Sequence, residues 1–159
     1  MERHDIEGDG RQRKVLAISS SGGHWEQLML LRPGFAAHDV DYAATMQGLA
    51  ERSGVGSAQI VPDFNARRPL KTLLSLFSVA KVVISSRPDV VISTGAAPGL
   101  VALLVGKLLG ARTVWIDSIA NSEKLSMSGR LAGIFVDLWL TQWEHLATPK
   151  GPVYRGAVL

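Results

Sequence analysis

Three short stretches of the chain combine small residues with groups that bind anions or move protons. The first is Ser19-Ser20-Ser21-Gly22-Gly23-His24, set between the apolar run KVLAI and a run with helical character. Glycines let a backbone turn tightly and let a ligand approach it closely. The start of a helix offers unpaired N–H groups at the positive end of its dipole, and serine hydroxyls add donors. The pattern fits a phosphate or other anion site in which Ser20, Ser21, Gly22 and Gly23 make the contacts. A plain strand-to-helix turn with a serine cap is the competing reading. His24 is the one histidine in such a loop: its neutral imidazole can bind phosphate or accept a hydroxyl proton, or it can merely cap the helix.

The second stretch, Ser93-Thr94-Gly95-Ala96-Ala97-Pro98-Gly99, repeats the design, and with the first it could cradle a diphosphate through Thr94, Gly95 and Ala96. The third is Asp117-Ser118 at the end of TVWIDS, followed by the polar, Gly/Ser-rich segment 119–130 with Asn121 and Glu123. An acid at a strand tip holds a sugar hydroxyl or acts as a base, or else caps the next turn. The segment after it reads as a mobile substrate loop. Neither the dinucleotide GxGxxG nor the GxxxxGK[ST] phosphate loop occurs. The four histidines show no close spacing that would build a metal site.

The elements that must position these loops alternate. Strands are expected at 14–20, 39–45, 58–61, 89–95, 111–118 and 137–143, with a last short one in the tail PVYRGAVL. Helices are expected at 24–37, kinked at Pro33-Gly34, and at 69–86, 98–110 and 125–136. In 69–86, Leu70, Leu73, Leu74, Phe77, Ala80 and Ile84 recur near helical spacing. The strands at 89–95 and 111–118 are apolar on both faces, as in a parallel sheet covered by helices on each side. The expected fold is α/β, a three-layer Rossmann-like parallel sheet over 14–159 behind a flexible polar tail, 1–13. Function should then sit beyond the C-terminal strand ends.

Composition narrows the classes. The chain has 159 residues, 47% hydrophobic and only 19% charged, with a net charge of +3. So little charge points to surface covered by a partner or a membrane. No cysteine is present, which excludes disulfides and thiolate chemistry. The basic residues are scattered and lack aromatic interleaving, so nucleic acid is not expected. The start lacks an apolar core for a signal peptide, and the longest apolar runs, such as LVALLVG at 100–106, fall far short of the roughly 20 residues of a membrane span. Segment 64–86 joins a basic start, Arg67, Arg68 and Lys71, to a broad apolar helix bearing Leu74 and Phe77. It reads either as a surface for an anionic membrane or as a core-packed helix with a solvated end.

The loops carry a resemblance. SSSGGHWEQL, the stretch from STGAAPGLVALLVGKLLGARTVWIDS to its end at LTQWEH, and their order resemble the Alg14/PssD-type family of polysaccharide biosynthesis proteins, from about Lys14 onward. More distantly the chain resembles the N-terminal half of MurG-like glycosyltransferases. The resemblance implies half of a GT-B glycosyltransferase that binds a lipid-diphosphate-linked sugar against a membrane. A separate catalytic subunit would hold the nucleotide-sugar donor, often a UDP-sugar, with no permanently bound cofactor. The products of such pairs include exopolysaccharide, capsule and lipid-linked oligosaccharide. Gly22, Gly23 and His24 match the first glycine-rich loop, and Thr94, Gly95 and Ala96 the second. Asp117 matches an acidic position that is glutamate in many relatives, and Asn121 lies where relatives often carry a basic residue. His24 is then the first candidate base and Asp117 the second. Eukaryotic relatives carry an N-terminal anchor; here a polar tail stands instead, so peripheral attachment to the cytoplasmic face of the inner membrane is expected. Two other functions remain open: a non-catalytic recruiter of a glycosyltransferase subunit, and a standalone nucleotide-binding module.

Overall fold

The computed structural model describes residues 11–64 and 69–158. Seven strands, β1 (Lys14–Ile18), β2 (Asp39–Ala44), β3 (Ala58–Ile60), β4 (Val90–Ser93), β5 (Arg112–Ile116), β6 (Leu138–Thr141) and β7 (Val153–Tyr154), form one sheet in the order β3-β2-β1-β4-β5-β6-β7. Every adjacent pair is parallel. Five α-helices connect them: α1 (Gly23–Leu31), α2 (Leu49–Arg52), α3 (Pro69–Ser86), α4 (Ala96–Leu108) and α5 (Met127–Ala132).

Alternation along β1 divides the core in two, because successive strand side chains point to opposite faces. Leu16 and Ile18 pack with Val79, Val83, Leu103 and Trp115, beneath the layer in which α3 lies on α4 and α4 on α5. Ala17 packs on the other face with Tyr42 of β2 and with Trp25, Leu28, Phe35 and Leu49, from α1, α2 and their flanks. The expected three-layer sheet is therefore present. Connections run outward from β1 through β2 to β3, then return past β1 to β4 and proceed the other way. The seam between β1 and β4 is the topological switch point, the place where open α/β sheets leave a crevice at their C-terminal ends.

Several boundaries differ from those expected. The helix expected at 24–37 ends at Leu31 and passes into a 3-10 turn, Arg32–Phe35, because Pro33 has no N–H to continue the α pattern. Helix α4 begins at Ala96, two residues before Pro98; proline is tolerated in a first turn, whose N–H groups lack intrahelical partners. Helix α5 is shorter than 125–136: Ser126 caps its start by accepting a hydrogen bond from the Gly129 N–H. Helix α2 has no counterpart in the sequence reading.

Helix α3 covers the expected 69–86 and bears on the two readings of its apolar series. The apolar series read there at helical spacing is not the core face. Leu73, Leu74, Phe77 and Ile84 are exposed, Phe77 by 67%, whereas Ser75, Val79, Val82, Val83 and Ser86 are buried. This helix is apolar nearly all round; the β-branched valines meet the sheet, and the larger side chains point out. Arg67 and Arg68 lie outside the described residues, as does the side chain of Lys71. Among the described residues no helix is long and apolar enough to cross a membrane.

Across the lower edge of the sheet, Asp137 joins α4 to β5. Its carboxylate accepts from Lys107 Nζ and from the N–H and hydroxyl of Thr113, at 2.8 and 2.9 Å. The Lys107 hydrogen bond, followed by those of Thr113, holds the Asp137 carboxyl below its usual value of 3.8. A carboxylate lowered on folding stabilises the native state above its unfolded value and loses that contribution as the pH falls through the folded one. Lys107 and Asp137 are 39% and 40% exposed, so solvent screening keeps the contribution under about 1 kcal/mol. Asp137→Asn should cost that much near neutrality and flatten the fall in urea midpoint below about pH 4, as checked by urea titrations across the acid range.

Candidate functional site

Both small-residue loops open at the switch point, and their backbones are bound to each other. His24 Nδ1 lies 3.0 Å from the Thr94 carbonyl oxygen, and Thr94 Oγ1 donates to the His24 carbonyl at 2.7 Å. A carbonyl only accepts, so Nδ1 carries the hydrogen and Nε2 is the nitrogen with the free lone pair in the neutral ring. The histidine is thus held in the tautomer that can take a proton through Nε2. No Cβ fits at Gly95, where it would run into the His24 ring, and φ there is +146°. The same backbone carries Ala96 at φ +67°, a left-handed conformation that costs a non-glycine residue about 1 kcal/mol or more. Gly22, at φ +72°, makes the sharp entry into α1, and neither helix start has a side-chain cap.

These loops form one wall of a cleft of about 330 Å³, lined by Gly23, His24, Ala96, Ser118, Ala120, Asn121, Ser126, Met127 and Ser128. Of the residues expected at a site, Gly23, His24, Ala96, Ser118 and Asn121 meet on this wall. Ser20, Ser21, Gly22, Thr94 and Gly95 belong to the same two loops but do not line the cleft. The Ser21 N–H is taken by Thr45 Oγ1 at 2.9 Å, so it is not free for a ligand. Glu123 is exposed and does not line the cleft.

Asp117 is brought close but turned away. Only 2% exposed, its carboxylate accepts from the Ser118 N–H (2.9 Å), Asn121 Nδ2 (2.7 Å), and the N–H and hydroxyl of Ser126 (3.2 Å each). Its backbone carbonyl accepts from Gln27 Nε2 and Gln142 Nε2. With both oxygens occupied by donors from its own loop, this acid organises 118–126 and has no lone pair turned to the cleft.

Segment 119–130, expected to be a mobile loop, runs into α5 at Met127, and its first part is moored at several further points. Ile119 N–H donates to Gln27 Oε1 at 3.0 Å, Trp143 Nε1 donates to the Ile119 carbonyl at 2.8 Å, and His145 Nε2 lies 2.7 Å from the Ser122 carbonyl. Gln27, Gln142 and the loop contact of Trp143 were not read from sequence as parts of the site. Their partners are distant in the chain, so no local pattern marks them. Ser126, Met127 and Ser128 do fall in the Gly/Ser-rich run that the sequence singles out.

The fold and the placing of the cleft define one Rossmann-like half of the GT-B architecture. MurG of Acinetobacter baumannii is similar with a TM-score of 0.71 at 15% identity, over 89% of this chain and 45% of that one. Anabaena Alr3699/HepE in complex with UDP-glucose is similar with a TM-score of 0.57 at 17% identity, over 82% of this chain and 38% of that one. At such identities the likeness shows the fold, and the chain spans less than half of either solved structure.

Sequence relationships are closer. The family described as "Oligosaccharide biosynthesis protein Alg14 like" matches residues 55–158, and the chain belongs to that family. The UDP-N-acetylglucosamine transferase subunit alg14 of Schizosaccharomyces pombe is 38% identical, over 92% of this chain and 84% of that protein. The corresponding subunit of Eremothecium gossypii is 26% identical, over 88% of this chain and 77% of that protein.

The contact between Gly95 and His24 gives a direct test of the geometry. Gly95→Ala should destabilise the fold by about 1–3 kcal/mol in urea unfolding, through overpacking and backbone strain. It should also move the imidazole NMR resonances of His24 while leaving those of His38 in place.

Proposed function

We propose that this chain is the acceptor-side subunit of a two-chain glycosyltransferase, which moves a sugar from a nucleotide-sugar donor to a lipid-diphosphate-linked sugar at a membrane surface. The observation that carries the reading is His24, held with Nε2 free at the mouth of a cleft flanked by two helix starts. Free amides at a helix start favour a phosphate group, and the two starts together suit a diphosphate. Family membership and the names of the fungal relatives support UDP-N-acetylglucosamine as the donor. The names of those relatives, each a transferase subunit, support a donor held mainly by a separate subunit.

In the proposed reaction a hydroxyl oxygen of the acceptor sugar attacks the anomeric carbon of the donor. His24 Nε2 takes the hydroxyl proton as the new C–O bond forms. The bond from the anomeric carbon to the diphosphate oxygen breaks, and the nucleoside diphosphate leaves with its electron pair. One such displacement inverts the anomeric configuration. Asp117 takes no proton in this scheme; it shapes the loop that faces the acceptor.

His24→Ala tests the base assignment. The variant should still co-purify with its partner subunit but lose about 10²–10⁴-fold in turnover with UDP-N-acetylglucosamine and a lipid-diphosphate sugar. Near-normal turnover would instead make the chain a recruiter of the catalytic subunit. Tight UDP-sugar binding by the chain alone would make it a nucleotide-binding module.

Membrane attachment in this reading is peripheral, on the cytoplasmic face, and the outward face of α3 supports it. Leu74 and Phe77 are 62% and 67% exposed, so their replacement removes little packing. The double variant Leu74→Gln, Phe77→Gln should keep its urea midpoint within the equivalent of about 1 kcal/mol. Its recovery with floated phosphatidylglycerol vesicles should fall several-fold.

A further inference from the structure

The hydrogen bonds around Asp117 determine which way the Asn121 amide points. The buried carboxylate can only accept, and Asn121 lies 2.7 Å from its Oδ1. The amide nitrogen of Asn121 therefore faces Asp117, and its carbonyl oxygen faces away. Among the described residues that oxygen has no protein partner, and it is not among their buried polar atoms left without one, which are His38 Nδ1, Trp115 Nε1 and Trp139 Nε1. Asn121 lines the cleft together with His24, and with its nitrogen spent on Asp117 the oxygen is the polar side-chain atom it has left for that space.

The cleft thus presents two fixed acceptors, His24 Nε2 and Asn121 Oδ1. Neither can rotate to donate: the first is set by the Thr94 carbonyl and the second by the Asp117 carboxylate. Phosphate oxygens are acceptors and cannot satisfy an amide oxygen. A ring bearing adjacent hydroxyl or amide N–H groups can satisfy both sites at once.

Resting on the function proposed above, we infer that Asn121 recognises a second hydroxyl or N–H of the acceptor sugar, beside the hydroxyl that His24 deprotonates. Asp117 is the positioning residue that fixes the Asn121 amide. Selection among acceptor sugars then resides in the loop after β5. An epimer that moves the second group out of reach leaves the Asn121 oxygen dry and unpaired, which is what penalises it.

The test uses the two-chain complex with UDP-N-acetylglucosamine as donor and phytanyl diphosphate-linked N-acetylglucosamine as acceptor. A series of acceptors each lacking one hydroxyl, or the acetamido group, completes the set. The wild-type complex should lose about tenfold in kcat/KM on one analogue besides the one that lacks the attacking hydroxyl. Asn121→Ala should lose a similar factor on the full acceptor and nothing further on that analogue. Asn121→Ser, which keeps a small polar group but withdraws the carbonyl, gives the same reading should the alanine variant fold poorly. Asp117→Asn can pair with either end of the Asn121 amide, its own oxygen accepting from the nitrogen or its own N–H donating to the oxygen, so it should raise KM and blunt discrimination more than it lowers kcat. Equal losses in wild type and both Asn121 variants on every analogue would overturn the inference and leave the proposed function standing. A wild-type complex that transfers to none of the acceptors would overturn both.

Discussion

Two hydrogen bonds exchanged between His24 and Thr94 hold the working end of this protein together. Each residue gives a side-chain donor to the other's backbone carbonyl, at 3.0 and 2.7 Å, across 70 positions of sequence. A single neutral hydrogen bond contributes only about 1 kcal/mol net, but Thr94 is fully buried, where an unpaired polar group costs more than its pairing gains. The exchange therefore fixes loop register as well as ring orientation. It explains why position 95 has no side chain, and it goes with the left-handed backbone at Ala96, since the chain must pass close under the imidazole before α4 begins.

A second node, at Asp117, works by saturation. A buried carboxylate is tolerated when donors surround it, and here four come from the loop that follows. The backbone carbonyl of the same residue gathers Gln27 from α1 and Gln142 from the end of β6. Helix α1, the loop after β5 and the segment after β6 are thereby locked about one point, so the two cleft walls share a frame. His24 and Gln27 sit three residues apart on α1: one ring reaches the β4 loop while one amide reaches the β5 loop.

Much of the fold was legible because parallel strands buried on both faces leave continuous apolar runs, and KVLAI, DVVIS and RTVWI are such runs. The glycine-rich junctions were legible because tight entry into a helix restricts residue type. The outward face of α3 was not: when a helix is apolar nearly all round, periodicity cannot say which face meets the sheet. Only the contrast between branched valines and larger leucines marks it, and that contrast is weak in sequence. The role of Asp117 was hidden for a different reason. An acid at a strand tip has the same local signature whether it faces substrate or its own loop, and Gln27, 90 positions away, leaves no trace of pairing with it. The orientation of Asn121 follows from that carboxylate and was equally out of sight.

The low fraction of charged residues now has a location. Leu73, Leu74, Phe77 and Ile84 on α3 and Leu104 and Leu108 on α4 are exposed in the layer that covers one face of the sheet, whereas the cleft opens at the ends of the strands. The apolar face of α3 and α4 and the cleft are therefore separate features of one small domain. Within the cleft, Gly23 is exposed and His24 is half-buried, so water reaches the reacting groups when the chain stands alone. A base and a nucleophilic hydroxyl in open water gain little from fixed dipoles, whose effect grows as the site dries. On the proposed reading, the second subunit does more than deliver a nucleotide-sugar. By covering the cleft it removes the solvent that would otherwise weaken the helix-start amides and the two acceptors, so catalytic power and acceptor selection both appear only on assembly.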